Sequence, residues 1–224
     1  MITAALTGAW PKKENNPNVP MTPSEIADDV YRVWKAGAAI ARLHMRDENG
    51  DGTMDHNKFR ETVELVHERY PECDIILNLT TSGDINANDE ERVLHVKELK
   101  PEMASYDCGT MNWLHSGVFF NTPKFLEDCG KLLQEVGTKP EIEAFDPGMI
   151  GNAAYYIKKG ILKTPVHFQF CMGCANGIPG STKNLLFMKE TAEQLVARAK
   201  RVIEEYGCEA ATPDEAREIL GLKK

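Results

Sequence analysis

The chain contains no apolar run long enough to cross a bilayer, which argues against a helical membrane anchor in these 224 residues. It is also short of positive charge. Lys and Arg number 26 against 34 Asp and Glu, a net charge of −8, so neither nucleic acid nor an anionic membrane is an expected partner. Internal repeats, linkers and low-complexity segments are absent, which leaves one domain over residues 1–224. Six cysteines are scattered at 73, 108, 129, 171, 174 and 208, mostly inside apolar runs. They read as reduced thiols in a cytoplasmic protein and not as a disulfide framework. The opening segment Met1 to Thr7 has no basic n-region and reads as a first strand.

What the chain does have is an unusual strand. Over Ala38 to Asp47, period-two alternation puts Ile40, Arg42, His44 and Arg46 on one face and Ala39, Ala41, Leu43 and Met45 on the other. The second set suits a core. The first sends two arginines and a histidine to one surface, where charge is costly unless it is paired or functional.

Strand and helix patterns alternate along the rest. Thr22-Pro23-Ser24-Glu25 opens a helix with an N-cap, a first-turn proline and a capping-box glutamate; Ile26, Val30, Val33 and Trp34 share a face and Gly37 ends it. Asp55 caps a second helix carrying Phe59, Val63, Leu65 and Val66. Strands follow at Asp74–Thr80, Met103–Tyr106, Glu141–Phe145 and Val166–Cys171. Helices are predicted from about Asp89 to Leu99, from Thr122-Pro123 through Val136, and from Met149 to Lys159. A long helix runs from Leu185 to about Tyr206, and a short one opens at the capping box Thr212-Pro213-Asp214-Glu215. Strict alternation predicts a parallel sheet with crossover helices. The fold class is therefore α/β, of (β/α)8 barrel type, with only six β-α units in evidence.

Three motifs invite chemistry. Asp47-Glu48-Asn49-Gly50-Asp51-Gly52 imitates a calcium loop, but its twelfth position is Lys58 where a bidentate glutamate is needed, so it reads as a turn. Cys171-Met172-Gly173-Cys174 has metal or redox spacing, yet it ends a strand and no second close pair exists. Glu141 with Glu143, and His167 with Gln169, share strand faces. With His44 they would line a barrel mouth, where Ser, Thr and Gly loops suit carboxylate and carbonyl oxygens.

Eight segments then resemble one family. They are Ala4–Ala9, Asn18–Pro23, Leu43–Asp47, Asn78–Gly83, Lys100–Ser105, Pro140–Glu143, His167–Phe170 and Ala211–Arg217. Together they are similar, in order, to the β-keto acid cleavage enzymes, above all to members that cleave 3-keto-5-aminohexanoate in lysine fermentation. The resemblance implies a zinc-dependent (β/α)8 barrel, usually a homotetramer. It implies transfer of a β-keto acid fragment onto acetyl-CoA, giving acetoacetate and a new acyl-CoA. It implies a metal-ligand role for His44 and a catalytic one for Glu143. Arg46, Thr80, Ser82, Gly83, Thr110, Asn112 and Gly173 are the expected substrate contacts.

The chain also departs from that family. Members write two inward histidines as His-x-His, both metal ligands; here the first is Arg42, which stays protonated and has no lone pair to give zinc. Members continue beyond Thr191 through two more β-α units, with an arginine and a Glu-Asp pair. Here Ala192-Glu193-Gln194-Leu195 already resembles the final helix, which places an internal deletion near 191–192. Trp10 stands where some members carry an acid. Two functions are therefore expected to compete: β-keto acid cleavage, or a non-catalytic relative with a broken metal site, binding anions through Arg42 and Arg46. A six-stranded remnant leaves two sheet edges, which predicts an oligomer altered from the family's.

Overall fold

A computed structural model describes the backbone of residues 1–205 and the side chains of residues 1–194. Its centre is a parallel sheet. In chain order the elements are β1 (Thr3–Ala5), α1 (Pro23–Lys35), β2 (Ile40–Leu43), β3 (Met45–Arg46), β4 (Gly52–Thr53) and α2 (His56–Arg69). Then come β5 (Ile76–Leu79), α3 (Glu91–Leu99), β6 (Met103–Asp107), β7 (Met111–Trp113), β8 (Gly117–Phe119) and α4 (Pro123–Val136). The described chain closes with β9 (Lys139–Ala144), α5 (Pro147–Lys158), β10 (His167–Phe170) and α6 (Thr182–Glu205). Among the described residues the main sheet has six strands, ordered β1-β2-β5-β6-β9-β10 and parallel throughout. It is a curled half-barrel and not a closed eight-stranded one.

Alternation along the strands sorts the chain into two surfaces. Ala41 and Leu43 of β2, with Leu77 and Leu79 of β5, face the helices and pack with Ile26 and Val30 of α1 and Phe59 and Val66 of α2. Ala104 and Tyr106 of β6 and Ile142 and Ala144 of β9 do the same against α4, α5 and Met188 of α6. The intervening residues Arg42, Asn78, Ser105, Asp107, Glu141 and Glu143 lie on the concave side.

Helix starts follow the local chemistry. Thr22 and Glu25 form the capping box, Asp55 accepts from Asn57 N, and Thr122 accepts from Phe125 N. The long strand expected over 38–47 is instead broken at His44. Met45–Arg46 turns away to pair antiparallel with Gly52–Thr53, so the calcium-like loop is the tip of a hairpin. There Asp47 Oδ1 accepts from Asn49 N and Asp51 N at 2.9 and 2.8 Å. A second hairpin, β7–β8, escaped the sequence pattern because its strands are three residues each. The helix expected at Thr212 lies outside the described residues.

The loop after β5 is held by a buried cation. Arg92 of α3 donates from Nε to Thr81 O at 2.8 Å, from Nη1 to Phe120 O at 2.8 Å and from Nη2 to Asn121 Oδ1 at 2.7 Å. Its guanidinium also lies 3.9 Å from the Phe125 ring centre. Arg92→Met keeps much of the apolar stem but strands two carbonyls and an amide oxygen. We expect a loss of about 4 kcal/mol or more, at ~1.5–3 kcal/mol for each of the three hydrogen bonds to a charged group, seen as a lower urea midpoint.

Candidate functional site

The carboxyl ends of the strands enclose a cavity of about 240 Å³. Arg42, His44, Ser82, Asp107, Glu143 and Cys171 supply its polar lining, and Trp10, Trp113, Phe119 and Phe145 its aromatic wall. Trp113 anchors that wall, stacked 6.4 Å from Trp10 and edge-on to Phe119 and Phe145 at 6.1 and 5.6 Å.

A buried ionic cluster forms the floor of the cavity and extends beneath it. Arg42 reaches across the concave face from β2 to β9. Its Nη2 pairs with Glu143 Oε1, and its Nη1 is 3.6 Å from Glu141 Oε2. Glu141 Oε2 also accepts from Asn78 Nδ2 at 2.6 Å, and its Oε1 is 3.7 Å from His167 Nε2. Cys171 Sγ donates to Glu143 Oε2 at 3.3 Å. Asp107, 3 % exposed, accepts from Ser105 Oγ at 3.4 Å.

These surroundings set the protonation states. Burial pushes the Glu143 carboxyl up to about 7, although Arg42 pulls the other way. Asp107 is raised for the same first reason, burial, against the pull of Arg42 and Arg92. Burial also acts on Glu141, but its contacts with His167, Arg42 and Asn78 outweigh it and hold it below the usual value. Arg42 is held more firmly protonated than a free arginine, since Glu143, Asp107 and Glu141 overcome the cost of burial. His44 is driven well below its ordinary value by burial and then by Arg42 and Arg46, so it is neutral. Its Nδ1 is buried without a hydrogen-bond partner.

The expected site residues divide into two groups. His44, Ser82, Gly83 and Glu143 line the cavity. The other group lies outside that lining. Arg46 donates to Ala9 O, Gly50 O, Thr7 O and Pro11 O at 2.8, 3.0, 3.2 and 2.9 Å, so its guanidinium is spent on clamping two loops. Thr80 Oγ1 lies 3.0 Å from Ser82 Oγ and accepts from Ser82 N, shaping the loop from below. Thr110 is exposed and accepts from Asn121 N at 2.9 Å; Asn112 is exposed on β7. Gly173, also exposed, has φ +82 and turns the loop after β10 through Gly173 N to Ile178 O. Asp107 and Cys171 joined the site without being foreseen. The available signal was parity: Asp107 is two residues from Ser105 and Cys171 two from Gln169, each on an inward register.

Anion capture by a free Arg42 or Arg46 does not match this geometry, because both guanidinia are already engaged. The resident zinc implied by the resemblance does not fit either. Among the described residues no three His, Cys, Asp or Glu side chains converge as a metal group. At the point where the two β9 carboxylates meet a cation, that cation is Arg42. Of the five described cysteines, all are free; Cys108 and Cys129 are buried.

Two outcomes follow from this geometry. Arg46→Ala leaves four carbonyls without their donor, and we expect a loss of about 3 kcal/mol or more, in the range for breaking a buried charged hydrogen-bond set, with faster amide exchange over residues 7–11. For Glu143, the folded value of about 7 lies above the ordinary 4.5. Between those two values the unfolded chain gives up the proton first. Stability from this group is therefore full below about 4.5, falls as pH rises towards 7, and is level above. Urea midpoints across pH 4.5–8 should show that slope, and Glu143→Gln should reduce it.

The sequence profile of the β-keto acid cleavage enzyme family matches residues 1–195 and 188–222. The 3-keto-5-aminohexanoate cleavage enzyme of Fusobacterium nucleatum is 38% identical over 272 positions, which take in 100% of this chain and 98% of that protein. With 224 residues here, 272 less 224 leaves 48 of those positions unfilled. The 3-dehydrocarnitine:acetyl-CoA trimethylamine transferase of Rhizobium meliloti is 35% identical over 208 positions, covering 84% of this chain and 69% of that one. Among solved structures, the ternary complex of ObcA with C4-CoA adduct and oxalate superimposes with a TM-score of 0.64 at 24% identity. That match covers 86% of this chain and 51% of the ObcA chain, so this chain spans about half the length of that structural relative. The likeness to ObcA concerns the fold; the family follows from the profile and the curated relatives. With its parallel half-barrel and its acid-lined cavity at the strand ends, this chain belongs to the β-keto acid cleavage enzyme family.

Proposed function

We propose that this chain takes a β-keto acid into the cavity at the carboxyl ends of its strands and cleaves it with acetyl-CoA, giving acetoacetate and an acyl-CoA. The observation that carries this is Glu143. It lines the cavity, it is buried, and its carboxyl is pushed up to about 7, where it both holds and releases a proton near neutrality. Arg42 on one oxygen and Cys171 on the other fix its orientation. Ser82 and the backbone of Gly83 offer polar groups to the substrate's oxygens at the same cavity.

The charge of the site supports a substrate of the 3-keto-5-aminohexanoate type. Asp107 and Glu143 line the cavity beside Arg42, and Trp10 and Trp113 stack in its wall. An ammonium gains from carboxylates and aromatic faces, whereas a second carboxylate would meet repulsion. His44 supplies a neutral, buried imidazole beside them.

A second reading is favoured by one observation, the pairing of Arg42 with Glu143 at the metal-ligand position of the family. On that reading the chain binds the keto acid and does not cleave it.

Incubation with 3-keto-5-aminohexanoate and acetyl-CoA, followed by acetoacetate release, separates the two. Cleavage predicts turnover that rises with pH through about 7 as Glu143 becomes able to accept a proton, and that drops by about 10²–10⁴ in Glu143→Gln. Calorimetric binding of the keto acid with no acetoacetate would instead establish the binding scaffold.

A further inference from the structure

The interior of the half-barrel holds more acid than base. Asp107, Glu141 and Glu143 are 3, 0 and 2 % exposed, and they descend from neighbouring strands β6 and β9. Three buried carboxylates cannot all stay ionised without a cation among them. Proteins meet that demand with a metal ion, with a basic side chain, or by keeping an acid protonated, and here the raised Glu143 and Asp107 carboxyls accompany a basic side chain. His44 and Cys171 line the cavity on one side of Arg42, and His167 lines a second pocket on its other side, so nitrogen, oxygen and sulfur donors surround that one guanidinium.

The place is taken, however. Arg42 crosses from β2, pairs with Glu143 and stands 3.6 Å from Glu141, which in turn is 3.7 Å from His167. A guanidinium stays protonated, offers no lone pair, and repels a second cation. Its planar fork also holds the two carboxylates apart, each on a different nitrogen. With Arg42 in place, no three metal donors converge among the described residues.

We propose that Arg42 is the resident cation of this centre: it occupies the position a divalent ion would take, excludes such an ion from the native chain, and masks a latent metal site formed by Glu141, Glu143 and His167. A single substitution at position 42 uncovers that site. Arg42→His does so best, because it removes the competing charge and adds an imidazole on the same inward register.

The test is metal uptake. The native chain, Arg42→His and Arg42→Gln are loaded with Zn²⁺ or Co²⁺, dialysed against metal-free buffer, and examined by elemental analysis, by visible absorption of Co²⁺ and by thermal melting. The native chain is expected to retain less than about 0.1 equivalent and to show no cobalt band, whereas Arg42→His retains about one equivalent, gains the band, and melts higher with Zn²⁺ than without. Arg42→Gln, which lifts the repulsion but adds no nitrogen, is expected to bind more weakly than Arg42→His and more strongly than the native chain. About one zinc on the native chain, lost on His44→Ala, overturns the proposal. So does a folded Arg42→His that stays metal-free. Should Arg42→His not fold, Arg42→Gln decides, since cobalt uptake above the native level supports the proposal and none overturns it. Keto-acid turnover enters none of these readouts, so their failure is distinct from failure of the proposed reaction.

Discussion

Arg42 is the charge on which the inside of this molecule depends. The concave face of the sheet carries Asp107, Glu141 and Glu143, and burying three acids is tolerable only with a partner and hydrogen bonds in place. Arg42 is that partner for both β9 glutamates, and it binds β2 to β9 across the width of the half-barrel. Asn78 and His167 complete the surroundings of Glu141, and Cys171 those of Glu143. The same contacts that let the sheet close around charge also fix the protonation of the cavity floor. Stability and chemistry therefore share one set of atoms.

Two further arginines show how differently one side chain can be used. Arg46 and Arg92 are both buried, and both spend their donors on backbone carbonyls of loops that frame the cavity. Arg46 ties the loop after β1 to the β3–β4 hairpin, and Arg92 ties the loop after β5 to the segment after β8. Neither lines the cavity. Loops rich in glycine and proline have few apolar contacts of their own, so a central guanidinium with several fixed donors replaces a missing core. The close approach of Gly52 to Gly83 belongs to the same arrangement, since a Cβ on Gly52 would sit 2.1 Å from Gly83 O.

Membership of the β-keto acid cleavage enzyme family rests on both the profile and a relative matched across the whole chain. The described residues hold six β-α units of that architecture, and the chain leaves 48 aligned positions of the relative unfilled. The remaining strands still present a cavity at their carboxyl ends, as parallel α/β sheets do. Its acid groups come from β6 and β9, each paired on both sides, whereas the outer strands β1 and β10 have only one neighbour each among the described residues.

Sequence alone carried the parallel sheet, the six β-α units, the helix caps at Thr22, Asp55 and Thr122, and the inward parity of Arg42, Glu141 and Glu143. Those properties are local: alternation follows from backbone geometry, and a cap is satisfied within three residues. The break at His44, the β7–β8 hairpin and the withdrawal of Arg46 from the cavity were decided by tertiary structure alone. The two hairpins pair residues at most eight apart, but their strands are too short to leave an alternating pattern; for Arg46 the partner is far away in sequence, Ala9 O, 37 residues distant. The pairing of Arg42 with Glu143 is of that kind as well. Period-two alternation could put both residues inside, but only the curl of the sheet brings strands three places apart, with β5 and β6 between them, close enough for their charges to meet.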